Sequence, residues 1–415
     1  MSDVPLSREL TPAQHTFIRQ QIALIPVYVW VIYAWGVFFT NLPLGPRGDK
    51  AHVGRDFVHF YTQGVITREH NAHALYDIDA MAAVVDRVVP VAVEVRFPPV
   101  YGPQVGLLFA PLARVPYVTA MLTWLGLTIL GYFGCVYLVW RTSPALRTRR
   151  WLTLVLALGA PGLHFTLSFG QASLVGLVCF TLMWLALRSG RAFLAGLAAG
   201  ALAYKPQFGV VAAFVFVLAG EWRVVWGAVV AMAAQFAAAW AYWGYAIFPA
   251  YVRALARLPG VIDAMEPDKD LMHSLRSSLQ LAGLPAGVSL VVSVALSAAI
   301  VAIAVLCWRT RGPLAPRYGV LVLATLLVNP HSYAYDLLLL APALLVTWDW
   351  AHGPGCRTPS AVASLAAFVY VAPLLTIAVS AVPIQWSVVG FLVLGAALAD
   401  QLLRRGHVNC LESAG

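Results

Sequence analysis

The sequence predicts an all-α, polytopic helical membrane protein of about 12 transmembrane helices, with an external loop carrying interfacial helices. Two observations predict it. The 415 residues are 60% hydrophobic and only 11% charged, whereas soluble domains carry about a quarter charged residues. The apolar residues also come in runs of roughly 17 to 25, the length that crosses ~30 Å of hydrocarbon as helix. Barrel strands would be about half as long and would alternate with period two.

In chain order, residues 1–21 are polar and the first apolar run covers 22–41. That run is long for the apolar core of a signal peptide and lacks a small-x-small cleavage site, so it is expected to stay as a signal-anchor helix. Eleven further runs follow at 117–140, 151–168, 172–187, 191–203, 207–219, 222–246, 288–308, 317–328, 333–348, 361–382 and 384–403. The stretch 101–112 is apolar too, but it is brief and studded or preceded by Pro98, Pro99, Pro103 and Pro111. It reads as a re-entrant or interfacial piece rather than a crossing.

With that stretch left out, the basic loops fall on one side. They hold Arg141, Arg147, Arg149 and Arg150, then Arg188 with Arg191, Arg223, Arg309 with Arg311 and Arg317, and Arg404 with Arg405. The positive-inside rule assigns that side to the cytoplasm. Both termini are then cytoplasmic, and two long loops, 42–100 and 247–287, lie outside. No internal repeat or low-complexity linker divides the chain, so residues 1–415 are expected to form a single membrane domain. Within the first loop, Ile78, Met81, Ala82, Val85, Val88 and Val89 recur at helical spacing against Asp79, Asp86 and Arg87. This pattern fits an amphipathic helix lying on the membrane surface, or equally a packed helix of a small external subdomain.

The formal charge of +9 is scattered over short loops rather than gathered in one patch, which argues for topology signals and against nucleic acid as a partner. Cys135, Cys179 and Cys307 lie in apolar runs, and Cys356 and Cys410 in segments on the cytoplasmic side. Their spacing matches neither a disulfide framework nor a metal site. No HExxH, P-loop, G-x-S-x-G or CxxC element appears, so zinc proteolysis, ATP hydrolysis and elbow-serine hydrolysis lack support. The runs hold His164 and Gln235 but hardly any acid or base at mid-depth. Ion-coupled transporters need such groups there.

Four polar clusters come to the external face: Asp56 with His59 and Tyr61, Gly170 with Gln171, Lys205 with Pro206, and Asn329 through His331, Tyr335 and Asp336. Polar groups converging at the mouth of a helix bundle are the usual form of a membrane-enzyme or transporter site. An acid such as Asp56 among apolar groups tends to a raised pKa, suited to accepting a proton; the plain alternative is a solvated aspartate pairing Arg55. Lys205 suits a phosphate oxygen at headgroup height, or it snorkels to the interface as lone lysines do. His331 can hydrogen-bond a phosphate or serve the loop structurally. Asp336 enters an apolar run, where an acid needs a partner or an aqueous cavity.

Taken in order, these residues resemble glycosyltransferase family 87, polyprenyl-phosphate-sugar-dependent enzymes of the GT-C membrane fold. The motifs are Asp56-Phe57 through Phe60-Tyr61, Ala74-Leu75-Tyr76-Asp77, Phe97-Pro98-Pro99, Gly170-Gln171, Lys205-Pro206, and Asn329-Pro330 through Tyr335-Asp336, spanning about residues 55 to 345. The resemblance implies transfer of a hexose, mannose first, from a polyprenyl-phosphate carrier to an acceptor hydroxyl of a glycan or glycolipid. The reaction would take place on the external face of the cytoplasmic membrane, with inversion. Asp56 would be the general base, and His59, Tyr61, Gln171, Lys205, His331, Tyr335 and Asp336 would bind substrate. Mannosyl members carry a histidine in the last loop that meets the donor phosphate, and His331 stands in that loop here. No metal or other cofactor is implied. The runner-up is a transporter or flippase of a lipid-linked sugar without catalysis, and a third possibility is a non-catalytic scaffold for envelope assembly. A transporter would call for polarity at mid-depth, where this chain has little.

Overall fold

The computed structural model describes residues 12–42, 54–89, 98–257, 268–379 and 381–412. Phe97, the loop stretches 43–53, 90–97 and 258–267, and the side chains of Arg405 and Cys410 lie outside the described residues. Among the described residues there is no strand, only one isolated antiparallel bridge between Met272 and Tyr333.

The first apolar run lies in α1 (Pro12–Thr40), and the loop after it folds into α2 (Phe57–Arg68), α3 (Ala72–Leu75) and α4 (Ile78–Val88). Asp77 starts α4, its Oδ1 accepting the backbone N–H of Ala80 at 2.8 Å, which satisfies a donor that the helix leaves open. Met81 and Val84 of α4 are buried, so the amphipathic helix lays its apolar face on the protein. Every residue of α2 from Phe57 to Thr67 is buried. Against it lies α5 (Pro103–Phe109), whose 7 residues make about 10 Å of helix. That is about a third of a hydrocarbon core. As a helix, α5 is too short to cross it alone.

The rest of the chain continues as α6 (Tyr117–Trp140), α7 (Pro144–Arg147), α8 (Arg150–Leu158), α9 (Pro161–Phe169), α10 (Ser173–Arg188) and α11 (Ala192–Ala201). Then come α12 (Pro206–Leu218), α13 (Trp222–Trp243), α14 (Ile247–Arg257), α15 (Leu275–Leu281) and α16 (Ala286–Arg309). Last are α17 (Leu314–Val328), α18 (Leu340–Ala351), α19 (Pro359–Ala378) and α20 (Trp386–Glu412). The run 151–168 is interrupted between α8 and α9, where Pro161, lacking an N–H, opens a new helix instead of continuing the old one.

Among the described residues, 7 helical segments are long and apolar enough to cross a membrane, and the other expected spans are apolar helices of 10–17 residues. The protein is thus an all-α, multi-pass membrane protein. In α13 and α16 only 17% and 22% of the apolar window is buried inside the protein. Trp226, Trp240 and Val291 point outward, which is favourable against lipid and not against water. Leu177, Phe180 and Met183 of α10 and Leu321 and Leu326 of α17 fill the interior. One end of the bundle carries the arginine loops, and the other gathers the turns at 54–56, 170–171, 204–206 and 329–336.

Candidate active site

The end of α9 builds the first half of the site. Gly170 caps that helix at φ +69°, and a Cβ there would stand 2.8 Å from the Cα of Gly54. Only glycine accepts both the left-handed backbone and the contact. The close approach lets the backbone N–H groups of Gly54 and Asp56 donate to the carbonyls of Ser168 and Phe169 at 2.7 and 2.9 Å. Asp56 is thereby fixed at the start of α2, over the turn that carries Gln171.

Gln171 Nε2 donates to Asp56 Oδ2 at 2.7 Å, and its Oε1 accepts from the Tyr101 hydroxyl at 3.4 Å. The Arg55 guanidinium stands 3.9 Å from the other carboxylate oxygen and lies over the Phe169 ring. Asp56 is 8% exposed. Burial pushes its pKa up to about 6, while the Gln171 hydrogen bond and the charges of Arg55, His331 and Lys205 pull it down. Burial also raises the Tyr101 phenol well above its ordinary range, and the charges of Asp336 and Asp56 push the same way. Tyr101 therefore stays a neutral hydrogen-bond donor beside the carboxylate.

The second half is a buried ion pair. Lys205 Nζ lies 2.6 Å from Asp336 Oδ1, with the two residues 4% and 0% exposed. Ser173 Oγ donates to the same oxygen at 3.1 Å, and the Tyr333 backbone N–H lies 3.3 Å from Oδ2. The ammonium also faces the rings of Phe208 and Tyr335, at 4.4 and 5.1 Å from their centroids. Lys205 neither snorkels nor lies free. Pro206 ends the preceding turn there and directs the lysine inward as α12 begins.

The last polar loop is held from two sides. Gly162 of α9 comes so close that a Cβ would meet the backbone N of Leu338 at 2.4 Å, and Thr166 Oγ1 donates to the Tyr335 carbonyl at 3.0 Å. From the far side, Met272 bridges Tyr333, and His273 N donates to the Ser332 carbonyl at 2.6 Å. Gln385 Nε2 in turn donates to the Met272 carbonyl at 2.5 Å. Burial pushes the His273 imidazole down to about 3, so it is neutral at physiological pH. His331 sits at the rim with its ring stacked on Tyr333, and Tyr335 Oη is 3.5 Å from its Nε2.

The structure thus brings Asp56, Gln171, Lys205, His331, Tyr335 and Asp336 to one region. His59 borders it, its ring beside Tyr101 and its Nε2 2.8 Å from Gln63 Nε2, with burial pushing its pKa down to about 4. Tyr61 does not join them, since its ring packs on Tyr117 and its hydroxyl donates to the Val115 carbonyl at 2.9 Å. Tyr101 and Ser173 are the residues that sequence reasoning does not reach. Ser173 is one serine in an apolar helix. Tyr101 directly follows the Pro98-Pro99-Val100 step, the one sequence signal near it, and the structure ties it to the Leu-Tyr-Asp motif, the Tyr76 hydroxyl donating to its carbonyl at 3.1 Å. Among the described residues no group of three or more His, Cys, Asp or Glu could hold a metal ion.

A multi-pass helical bundle with a buried carboxylate and a buried ion pair gathered in one region defines a membrane protein with an enzyme-like polar site. The family model for glycosyltransferase family 87 matches residues 100–330, more than half of the chain. The protein belongs to glycosyltransferase family 87 and is a glycosyltransferase. The matched stretch holds Tyr101, Gln171 and Lys205, while Asp56 and Asp336 lie on either side of it. No curated protein and no solved structure matches the chain.

Proposed function

We propose that this glycosyltransferase moves a hexose, mannose first, from a polyprenyl-phosphate-linked donor to an acceptor hydroxyl on the external face of the cytoplasmic membrane, inverting the anomeric centre. The observation that carries the reading is Asp56: a buried carboxylate with a pKa of about 6, held by Gln171 in the cluster that also holds Lys205 and His331. A sugar hydroxyl is a weak nucleophile and needs its proton taken as the new bond forms, and a base serves best when its pKa lies near the working pH. Asp56 takes that proton while the acceptor oxygen bonds to the anomeric carbon. The bond from that carbon to the phosphate oxygen breaks, and the polyprenyl phosphate leaves with the electron pair.

Charge then grows on the phosphate. Arg55, half-exposed beside Asp56, and His331 at the rim are placed to meet it at headgroup height. Lys205 is neutralised by Asp336, so its part is to shape the floor of the site and polarise it. The arginine loops at the opposite end of the bundle support the external placement through the positive-inside rule. No metal or cofactor enters the scheme.

The test incubates the purified protein with radiolabelled polyprenyl-phosphate hexoses and membrane glycolipid acceptors, wild type beside Asp56→Asn. Transfer by the wild type and a loss of about 10² to 10⁴ in kcat for the variant is the expected outcome, the range general-base catalysis contributes. An Asp56→Asn enzyme of unchanged rate sinks the assignment of the base. A donor that stays intact but changes leaflet in proteoliposomes returns the transport reading.

A further inference from the structure

A cavity of about 550 Å³ lies at the arginine-rich end of the bundle. It is framed by the last turn of α10, the start of α17 and the end of α18, and α10 runs from Ser173 in the active site to Arg188 at this cavity. The 16 residues of that helix set the two sites about 24 Å apart. The lining shares no residue with the site of Asp56 and Lys205.

Arg188 and Arg317 bring two cations to this cavity, Glu221 and Asp349 two anions, and three tryptophans form its walls. Asp349 is already engaged, because its Oδ1 accepts the backbone N–H groups of Ala145 and Leu146 at 2.7 and 3.3 Å. Arg317 and Glu221 feel each other electrostatically but form no ion pair within 4.0 Å. The Arg317 guanidinium rests over the Trp308 ring, 5.0 Å from its centroid, and its buried Nε has no hydrogen-bond partner among the described residues. The indole N–H of Trp184, a residue 3% exposed, also lacks one.

Opposite charges that line one cavity without closing on each other are the complement of a zwitterion. We propose that this cavity binds a headgroup carrying a phosphate and a primary ammonium, that is, a phosphoethanolamine group. The phosphate oxygens accept from Arg317 and Arg188, and the ammonium donates to Glu221. Trp350, which also lines the cavity, offers an apolar wall to the short carbon bridge. A purely anionic headgroup would bring Glu221 no cation, at most a neutral hydroxyl, and so a weaker hydrogen bond. The cavity sits at the ends of spanning helices, so phosphatidylethanolamine of the surrounding leaflet is the near source. Free phosphoethanolamine carries the same chemistry.

Native mass spectrometry of the full-length protein, released from mild detergent, reads the ligand directly. The probes are phosphatidylethanolamine, phosphatidylglycerol and phosphatidylcholine of matched chains, with soluble phosphoethanolamine as competitor. The ethanolamine lipid is expected to bind about tenfold tighter than the glycerol lipid, which is about 1.4 kcal/mol, and Glu221→Gln should erase that preference. Arg317→Gln should weaken all three lipids. Because Arg317 also rests on Trp308 and its loss can disturb folding, the near-isosteric Glu221→Gln decides. Competition by phosphoethanolamine identifies the headgroup alone as the ligand, and ethanolamine-lipid binding without competition makes the acyl chains part of it. Equal binding of the ethanolamine and glycerol lipids, an unchanged preference in Glu221→Gln, or no retained ligand of either kind overturns the proposal.

Discussion

Lys205→Met is expected to be the most destabilising single change near the site. At 2.6 Å the gross attraction of Lys205 and Asp336 is about 6 kcal/mol for an effective dielectric of 20, and desolvation consumes most of it. What the variant exposes is the other side of that balance. Asp336, with no exposed surface, keeps only the Ser173 hydroxyl and the Tyr333 N–H, and a stranded buried charge costs about 3 to 5 kcal/mol. Asp336→Asn strands the lysine instead, but the rings of Phe208 and Tyr335 remain over it, so its loss should fall at the low end of that range. Replacing both partners by apolar side chains, Lys205→Met with Asp336→Leu, should recover most of the stability, because no charge is then left unpaired. The assay is thermal unfolding in one detergent at one scan rate for wild type, the two singles and the double. Singles as stable as wild type, or a double that merely adds their losses, would refute the reasoning. Sugar transfer by the double variant then separates roles: recovery with stability makes the pair a scaffold, whereas stability without transfer shows that the ammonium also acts on substrate.

Asp56 supplies a prediction of opposite sign. Its pKa rises from 3.8 to about 6 on folding, so the folded state prefers the protonated acid. Stability from this group is present below pH 3.8 and is lost as pH rises through 6. Asp56→Asn should therefore unfold later than wild type at pH 7.5, by up to about 3 kcal/mol, with the gap closing near pH 4; equal midpoints at pH 7.5 would count against the buried ionised acid. Transfer by the wild type should fall about tenfold per pH unit below pH 6 as the base takes up its proton. Gln171→Leu removes the hydrogen bond that lowers the pKa of Asp56, so the acid limb of the rate profile should move upward, and an unmoved limb would remove Gln171 from this role. Tyr61→Phe loses one hydrogen bond to the Val115 carbonyl, about 1 kcal/mol, and should leave kcat and KM unchanged.

How much was legible in advance follows from what kind of signal each feature leaves. The lengths of the apolar runs reflect a solvent that is uniform along each helix, so hydropathy located α6, α13, α16 and α19 to within a few residues. Proline at 161 breaks one run into two helices, a local rule that hydropathy averages away. The site motifs were readable where backbone demands coincide with chemistry: Gly170 must be left-handed and Gln171 must follow it to reach Asp56. The partner of Asp336 was only a requirement, since nothing in residues 205 and 336 says that they touch across 131 positions. The clamp of Met272, His273 and Gln385 on the last loop was invisible, because it acts through backbone carbonyls that carry no sequence identity.

The two buried acids of the site look alike in sequence and are set apart by what surrounds them. Asp336 is saturated: an ammonium, a hydroxyl and a backbone N–H take both of its oxygens, and it has no exposed surface through which substrate could approach. Asp56 has a neutral amide on one oxygen and, on the other, a guanidinium no nearer than 3.9 Å. A carboxylate that is desolvated and only lightly held can take up a proton. The protein keeps the first acid to anchor Lys205 and the last loop, and leaves the second under-compensated. That asymmetry, more than the presence of two acids, is what supports the proposal that Asp56 takes up the proton during transfer.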